Sequence, residues 1–196
     1  MRLAAHLCGT RVDEILNGDD TFVKQVKDWG FQRIQINATA INGVDTSKLS
    51  RAVPHLLSIV DKHPDLEFIL QKNEETKPLW EGILNEPNSG TGDRSLPQNM
   101  TMLLDESKGT GVLSKAFPPP PKEYDVGYAG GIGPSNIANV LTAVLDVAKG
   151  RNVWIDMESS LRSICNEKDV FDLNKCYSCI SSVCELGFFD HPHYLG

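Results

Sequence analysis

Two stretches of the chain place small and polar residues where an apolar run ends. GYAGGIGPSNIANVL, residues 127–141, passes through Gly130, Gly131, Ile132, Gly133, Pro134 and Ser135 into a helical pattern. NVWIDMESSLRS, residues 152–163, closes a second apolar run with Ser159 and Ser160. Glycine lets the backbone approach a bound group closely, and the free N–H groups and dipole at a helix start favour an anion. The chemistry open to this pattern is phosphate binding, with Gly130, Gly131, Ser159 and Ser160 supplying donors. Two ordinary tight turns would use the same residues.

Other strand-end residues add acid–base chemistry. Asp105 ends the run MTMLLD. On the residues alone it reads as a hydrogen-bonded strand-end carboxylate. Cys8, in HLCG, ends another such run and on the residues alone reads as a small buried thiol. Asp156 and Glu158 share a face of NVWIDME if that strand is regular. His6, Gln35, Asn37, Gln71 and Lys72 complete the set of polar residues at the ends of apolar runs. Cys176, Cys179 and Cys184, with His191 and His193, have some of the flavour of a zinc site. The first two, however, fall within a helical pattern, whereas zinc CxxC pairs usually sit on turns, so no metal is expected. No motif calls for a cofactor.

Positioning these groups requires one sizeable core, and 196 residues suffice for a single domain. The hydrophobic share of 40% and charged share of 23% are those of an ordinary globular protein. A net charge of −7 argues against nucleic acid as a partner, since phosphate neutralisation needs a basic footprint. No run of about 18 apolar residues exists, so no membrane span is expected. The N-terminal apolar stretch is too short for a secretory signal. Five cysteines, an odd number of which four lie near one end, do not make a disulfide framework, so a reducing, cytoplasmic setting is the expectation.

Apolar runs alternate with helical patterns along the chain. Strands are predicted over 2–9, 31–39, 66–72, 100–105, 124–131 and 152–158. Helices are predicted over 12–30, 47–64, 76–85, 134–150 and 169–187. Ser47 is a plausible N-cap for the second of these, and Pro54 must kink it or delay its start. Residues 85–99 and 106–123 read as long loops, the latter stiffened by four prolines at 118–121. Strands each followed by a helix or loop imply parallel pairing through right-handed crossovers, in a (βα) barrel or an open doubly wound sheet.

MTMLLDESKGTG, then AGGIGPSNI, then VWIDMESSLRS and NEKDVFDLNKCYSCIS resemble phosphoribosylanthranilate isomerase in order and spacing. That family has an LLD…GGTG strand and loop, an AGGLNPENV strand and loop, a VDVSSGVE strand, and a Gly-Lys-Asp start to its last helix, which Lys168 and Asp169 echo. FQRIQIN is similar to the family's fourth strand, with its Val-Gln-Leu-His-Gly motif, and places Gln35 and Asn37 beside the ligand. The resemblance implies a TIM-barrel-like (βα) architecture with about six βα units, corresponding to strands three to eight. It also implies an Amadori rearrangement of a phosphorylated aminoribose. On this resemblance Asp105 is the general acid, Gly131 and Ser159 cradle phosphate, and Gly130 and Ser160 sit beside them.

The departures also matter. The family's base is a cysteine in a Lys-Ile-Cys-Gly motif on strand one. HLCG is similar to that motif and offers Cys8, but too few strands separate it from Asp105. Ser160 replaces a glycine of the family pattern. Arg162 replaces a glutamate and could pair with an anionic ligand group or stand as a surface, salt-bridging arginine. The expectation is therefore a barrel relative without its first two strands that binds a phosphorylated small molecule. It either isomerises that molecule or has lost the base. An open sheet edge would favour a homodimer.

Overall fold

The computed structural model describes residues 2–86, 96–108, 110–114 and 116–187. Part of the predicted loop over 85–99, and both tail histidines, lie outside them. Strands β1 (Ala4–Leu7), β2 (Arg33–Ile36), β3 (Glu67–Lys72), β4 (Met100–Leu104), β5 (Val126–Tyr128) and β6 (Trp154–Ile155) pair in chain order. Every pairing is parallel. A doubly wound sheet reverses its strand order at a switch point. Here the order never reverses, so every right-handed crossover returns on the same side. That winding belongs to a barrel, and six strands of it make a curled half-barrel.

Alternation along the strands separates two faces. Ile34, Ile36, Phe68, Leu70, Met102, Val126 and Tyr128 face outward into the main core. They meet the apolar sides of α1 (Thr10–Leu16), α2 (Thr21–Asp28), α3 (Leu49–Lys62), α4 (Lys77–Asn85) and α5 (Ile137–Ala148). In α3 the buried residues Leu49, Ala52, Val53, Leu56, Ile59 and Val60 recur every three or four positions, the stripe of an amphipathic helix. Inward-facing Ile69, Leu103 and Ala129 form a smaller cluster with Trp154. Gly127 makes room for that indole: a Cβ there would lie 2.2 Å from Trp154 Nε1.

Three local expectations change. The helix predicted over 12–30 is two helices, because Asn17 and Gly18, the latter at φ 88°, close α1. Ser47 does not cap α3. It belongs to a 3-10 turn, Thr46–Lys48, where its amide and hydroxyl donate to Asp45 Oδ1 at 3.2 and 2.6 Å. These bonds, with the Lys48 ammonium, hold the Asp45 carboxyl down to a pKa of about 2. Pro54 lies inside α3.

The last helix starts later than predicted. Residues 162–171 form a hairpin, β7 (Arg162–Cys165) antiparallel to β8 (Lys168–Phe171), and α6 (Leu173–Glu185) follows it. Asn166 and Glu167, at φ 49° and 63°, make its two-residue turn, the positive-φ pair that suits strand twist. Asp172 caps α6 by accepting from Asn174 N at 3.0 Å and Lys175 N at 3.4 Å. Lys168 and Asp169 therefore do not begin a helix.

Between β4 and β5 the described residues contain no helix. The proline segment instead lies as a strap on the outer face. Tyr128 Oη donates to the Pro118 carbonyl at 2.7 Å and Arg151 Nη1 to that of Pro120 at 3.2 Å. Phe117 meets Tyr128 edge to face, with ring centroids 5.6 Å apart.

Candidate functional site

In barrels and open α/β sheets alike, ligands gather at the C-terminal ends of parallel strands. The inward residues at those ends are His6 of β1, Gln35 and Asn37 of β2, Gln71 of β3, Asp105 after β4, Gly130 after β5 and Asp156 after β6. Above a floor that includes Leu103 and Ala129, all of these except His6 line a cavity of about 110 Å³. Gln35, Asn37, Gln71, Asp105, Asp156, Glu158 and Ser159 line it, with Asn42, Ser107 and Gly111. Three carboxylates face it, and among the described residues no lysine, arginine or histidine does.

The wall is internally bonded. Gln71 Nε2 donates to Asp105 Oδ2 at 2.7 Å. Ser107 donates to Asp105 Oδ1 through its amide at 3.1 Å and its hydroxyl at 2.5 Å. Gln35 Nε2 donates to Asn37 Oδ1 at 3.0 Å. Gln71 Oε1, although buried, has no partner among the described residues, which is uncommon in a folded chain. Burial pushes the Asp156 carboxyl above the usual aspartate range. His6, with Nε2 3.9 Å from Asp156 Oδ1, opposes that rise, whereas Glu158 and Asp105 add to it.

The rim comes from two adjacent loops. Gly130 and Gly131, at φ 103° and 63°, turn the chain after β5. Ser159 and Ser160 open a 3-10 turn, Ser159–Leu161. Among the described residues the amides of these four donate to no acceptor. The loop after β4 folds down onto Gly131, where a Cβ would lie 2.4 Å from Leu113 N and 2.7 Å from Gly111 O.

Of the residues picked out by sequence, Gln35, Asn37, Asp105, Gly130, Gly131 and Ser159 line this cavity. Ser160 lies next to it. Cys8 does not line it; its exposed thiol rests beside Asn37 and Asn42, each contact 3.7 Å. Arg162 lies elsewhere, on the hairpin, where its Nε donates to Asp169 Oδ2 at 2.8 Å. Cys176 and Cys179 lie within α6, and no group of metal-ligating side chains gathers among the described residues. Asn42, Ser107 and Gly111 were not picked out. Asn42 ends a short 3-10 turn, Ala40–Asn42, and Ser107 and Gly111 stand on a loop, places where no periodicity tells which way a side chain points.

The fold and the site together define a (βα) half-barrel with a polar cavity at its strand ends. No family model matches the chain, and no curated protein does. Among solved structures the chain is similar to "Phosphoribosyl anthranilate isomerase from Thermococcus kodakaraensis", at 16% identity and a TM-score of 0.43, over 93% of this chain and 73% of that one. It is also similar to "Native KDPGal structure", at 20% identity and a TM-score of 0.31, over 94% and 95% of the two chains. Among the described residues no helix is long and apolar enough to cross a membrane.

Proposed function

We propose that the cavity binds a sugar phosphate, with the phosphoryl group on the rim and the hydroxyls inside. The observation that carries this reading is the set of four unengaged amides, of Gly130, Gly131, Ser159 and Ser160, on two neighbouring loops beside a carboxylate- and amide-lined cavity. Backbone N–H groups hold a phosphoryl group through partial charges alone, so no lysine or arginine is required. Carboxylates and amides suit hydroxyls, which both donate and accept. Three carboxylates would repel a bare phosphate ion placed among them, and this assigns the anion to the rim.

Binding is favoured over turnover. The isomerisation that the sequence resemblance implies needs an acid and a base at one reacting centre. Asp105 is in the cavity, while Cys8 stands outside its lining. The test is a titration with ribose 5-phosphate, following the amide resonances of Gly130, Gly131, Ser159 and Ser160. Saturable shifts are expected, with weaker ones from ribose or inorganic phosphate alone. No shift at millimolar ribose 5-phosphate removes the proposal. Consumption of phosphoribosylanthranilate, followed by fluorescence, decides the catalytic reading, with Asp105→Asn as its control.

A further inference from the structure

A second cavity, of about 360 Å³, lies on the helix side of the sheet, between the end of β3, the start of α4 and the proline strap. Lys72 points into this region because it follows Phe68 and Leu70 on the outward face of β3. Its ammonium sits 4.3 Å from the centroid of the Trp80 ring and 5.5 Å from that of Tyr124. It donates to Tyr124 Oη at 2.8 Å. Two of its three N–H bonds remain, and among the described residues it pairs with no carboxylate. Trp80 and Tyr124 thus hold a half-buried cation in place without neutralising it.

Asn73 borders the same cavity and is 7% exposed. Its Oδ1 accepts from Glu75 N at 2.9 Å and Thr76 N at 3.0 Å, which fixes which end of the amide is oxygen. Its Nδ2 is consequently a donor, and it has no acceptor among the described residues. Trp80 Nε1 is already committed to Asn73 O at 3.0 Å. Leu104, Pro118 and Pro119 supply an apolar wall. Glu74, Glu106 and Lys108 also border the space, so with Lys72 its charges balance.

We propose that this cavity is a binding site for a small organic monocarboxylate with a flat apolar body. The carboxylate accepts from Lys72 Nζ and, after a small shift of the side chain, from Asn73 Nδ2. The body packs on Leu104, Pro118 and Pro119. A compact dianion fits poorly, since it leaves the apolar wall uncovered and meets Glu74 and Glu106.

The experiment uses benzoate as probe and follows the Trp80 indole and Asn73 side-chain amide resonances of the full chain. Saturable shifts of both are expected. Benzamide, which has the same body without the charge, and inorganic phosphate should produce none. Lys72→Met keeps the aliphatic stem and should weaken benzoate by about tenfold or more, as loss of a charged hydrogen bond does. Asn73→Asp keeps the acceptor that starts α4 but replaces the donor, and should abolish binding. Equal shifts with benzamide, absence of saturation, or undiminished binding in either variant would overturn the proposal. The benzamide comparison needs no variant. All readouts lie away from Gly130 and Ser159, so the outcome is independent of the sugar-phosphate site.

Discussion

His6 and Asp156 belong to the first and last strands of a six-stranded sheet, yet their Nε2 and Oδ1 atoms lie 3.9 Å apart. In a flat sheet the two strands would be about 24 Å apart, five spacings of roughly 4.8 Å. Curvature brings them together. That approach gives the cavity another wall and places the Asp156 carboxyl near Asp105 and Glu158, at the cost of its hydration, although β1 and β6 do not pair.

That cost has a pH signature. Asp156 has a folded pKa raised above the ordinary 3.8, so its contribution to stability is fully present below about 3.8 and lost as pH rises through the folded value. Asp156→Asn, a stand-in for the protonated acid, should raise the urea midpoint at pH 7. The gain should shrink toward zero near pH 3.5. A variant less stable than the parent at pH 7 would mean that the His6 contact outweighs desolvation.

Gly127 and Trp154 form a second dependent pair. Gly127→Ala drives a methyl into the indole and should cost about 1–3 kcal/mol, the usual penalty of overpacking. In a Trp154→Leu background the same change should cost much less. Additive losses in the double-mutant cycle would show that the indole is not what excludes a side chain there.

Asp172 ties the hairpin to the last helix, since it caps α6 and accepts from Ser163 Oγ at 2.7 Å. The Ser163 hydroxyl, with the Lys175 and Asn174 amides, holds its pKa below the usual aspartate value. Its stabilising effect is therefore present above about 3.8 and lost as pH falls through the lower folded value. Asp172→Ala should speed amide exchange in the first turn of α6 at pH 7, and Asp172→Asn less so, because its carbonyl still accepts. Unchanged exchange in both would show that the cap is idle.

Cys8→Ser should leave ribose 5-phosphate affinity unchanged, because the thiol stands outside the cavity lining. Asp105→Leu should weaken it at least tenfold, since Gln71 and Ser107 lose their acceptor and the wall loosens. Equal affinity across all three proteins would detach the cavity from the binding event.

The parallel βα alternation was legible in the apolar runs and helical patterns, which left a barrel and a doubly wound sheet both open, and the two faces of each strand were legible because inward and outward positions repeat with period two. The pattern FILQK already separates Phe68 and Leu70 from Ile69 and Gln71. Such alternation places Gln35, Asn37 and Asp105 on one face without any structure. It fails for Lys168–Phe171, whose four residues are all exposed, so no burial pattern marked them as a strand. Of the two roles open to Arg162, the salt-bridging one holds, with Asp169 as partner, and the anionic-ligand one does not, because the residue starts the hairpin. The approach of Leu113 to Gly131 joins two loops, and neither carries a periodic signal that could pair them.

The proline strap has a consequence for the order of assembly. A crossover helix brings its own ladder of hydrogen bonds and can form early; a polyproline segment has none. The strap is held through the hydroxyl of Tyr128 and the guanidinium of Arg151, groups that stand in position only after β5 and the end of α5 are built. This wall of the molecule is therefore expected to be completed late in folding and to open early in local unfolding. The Lys72 cavity, which borrows Pro118 and Pro119 as a wall, exists only while the strap is seated.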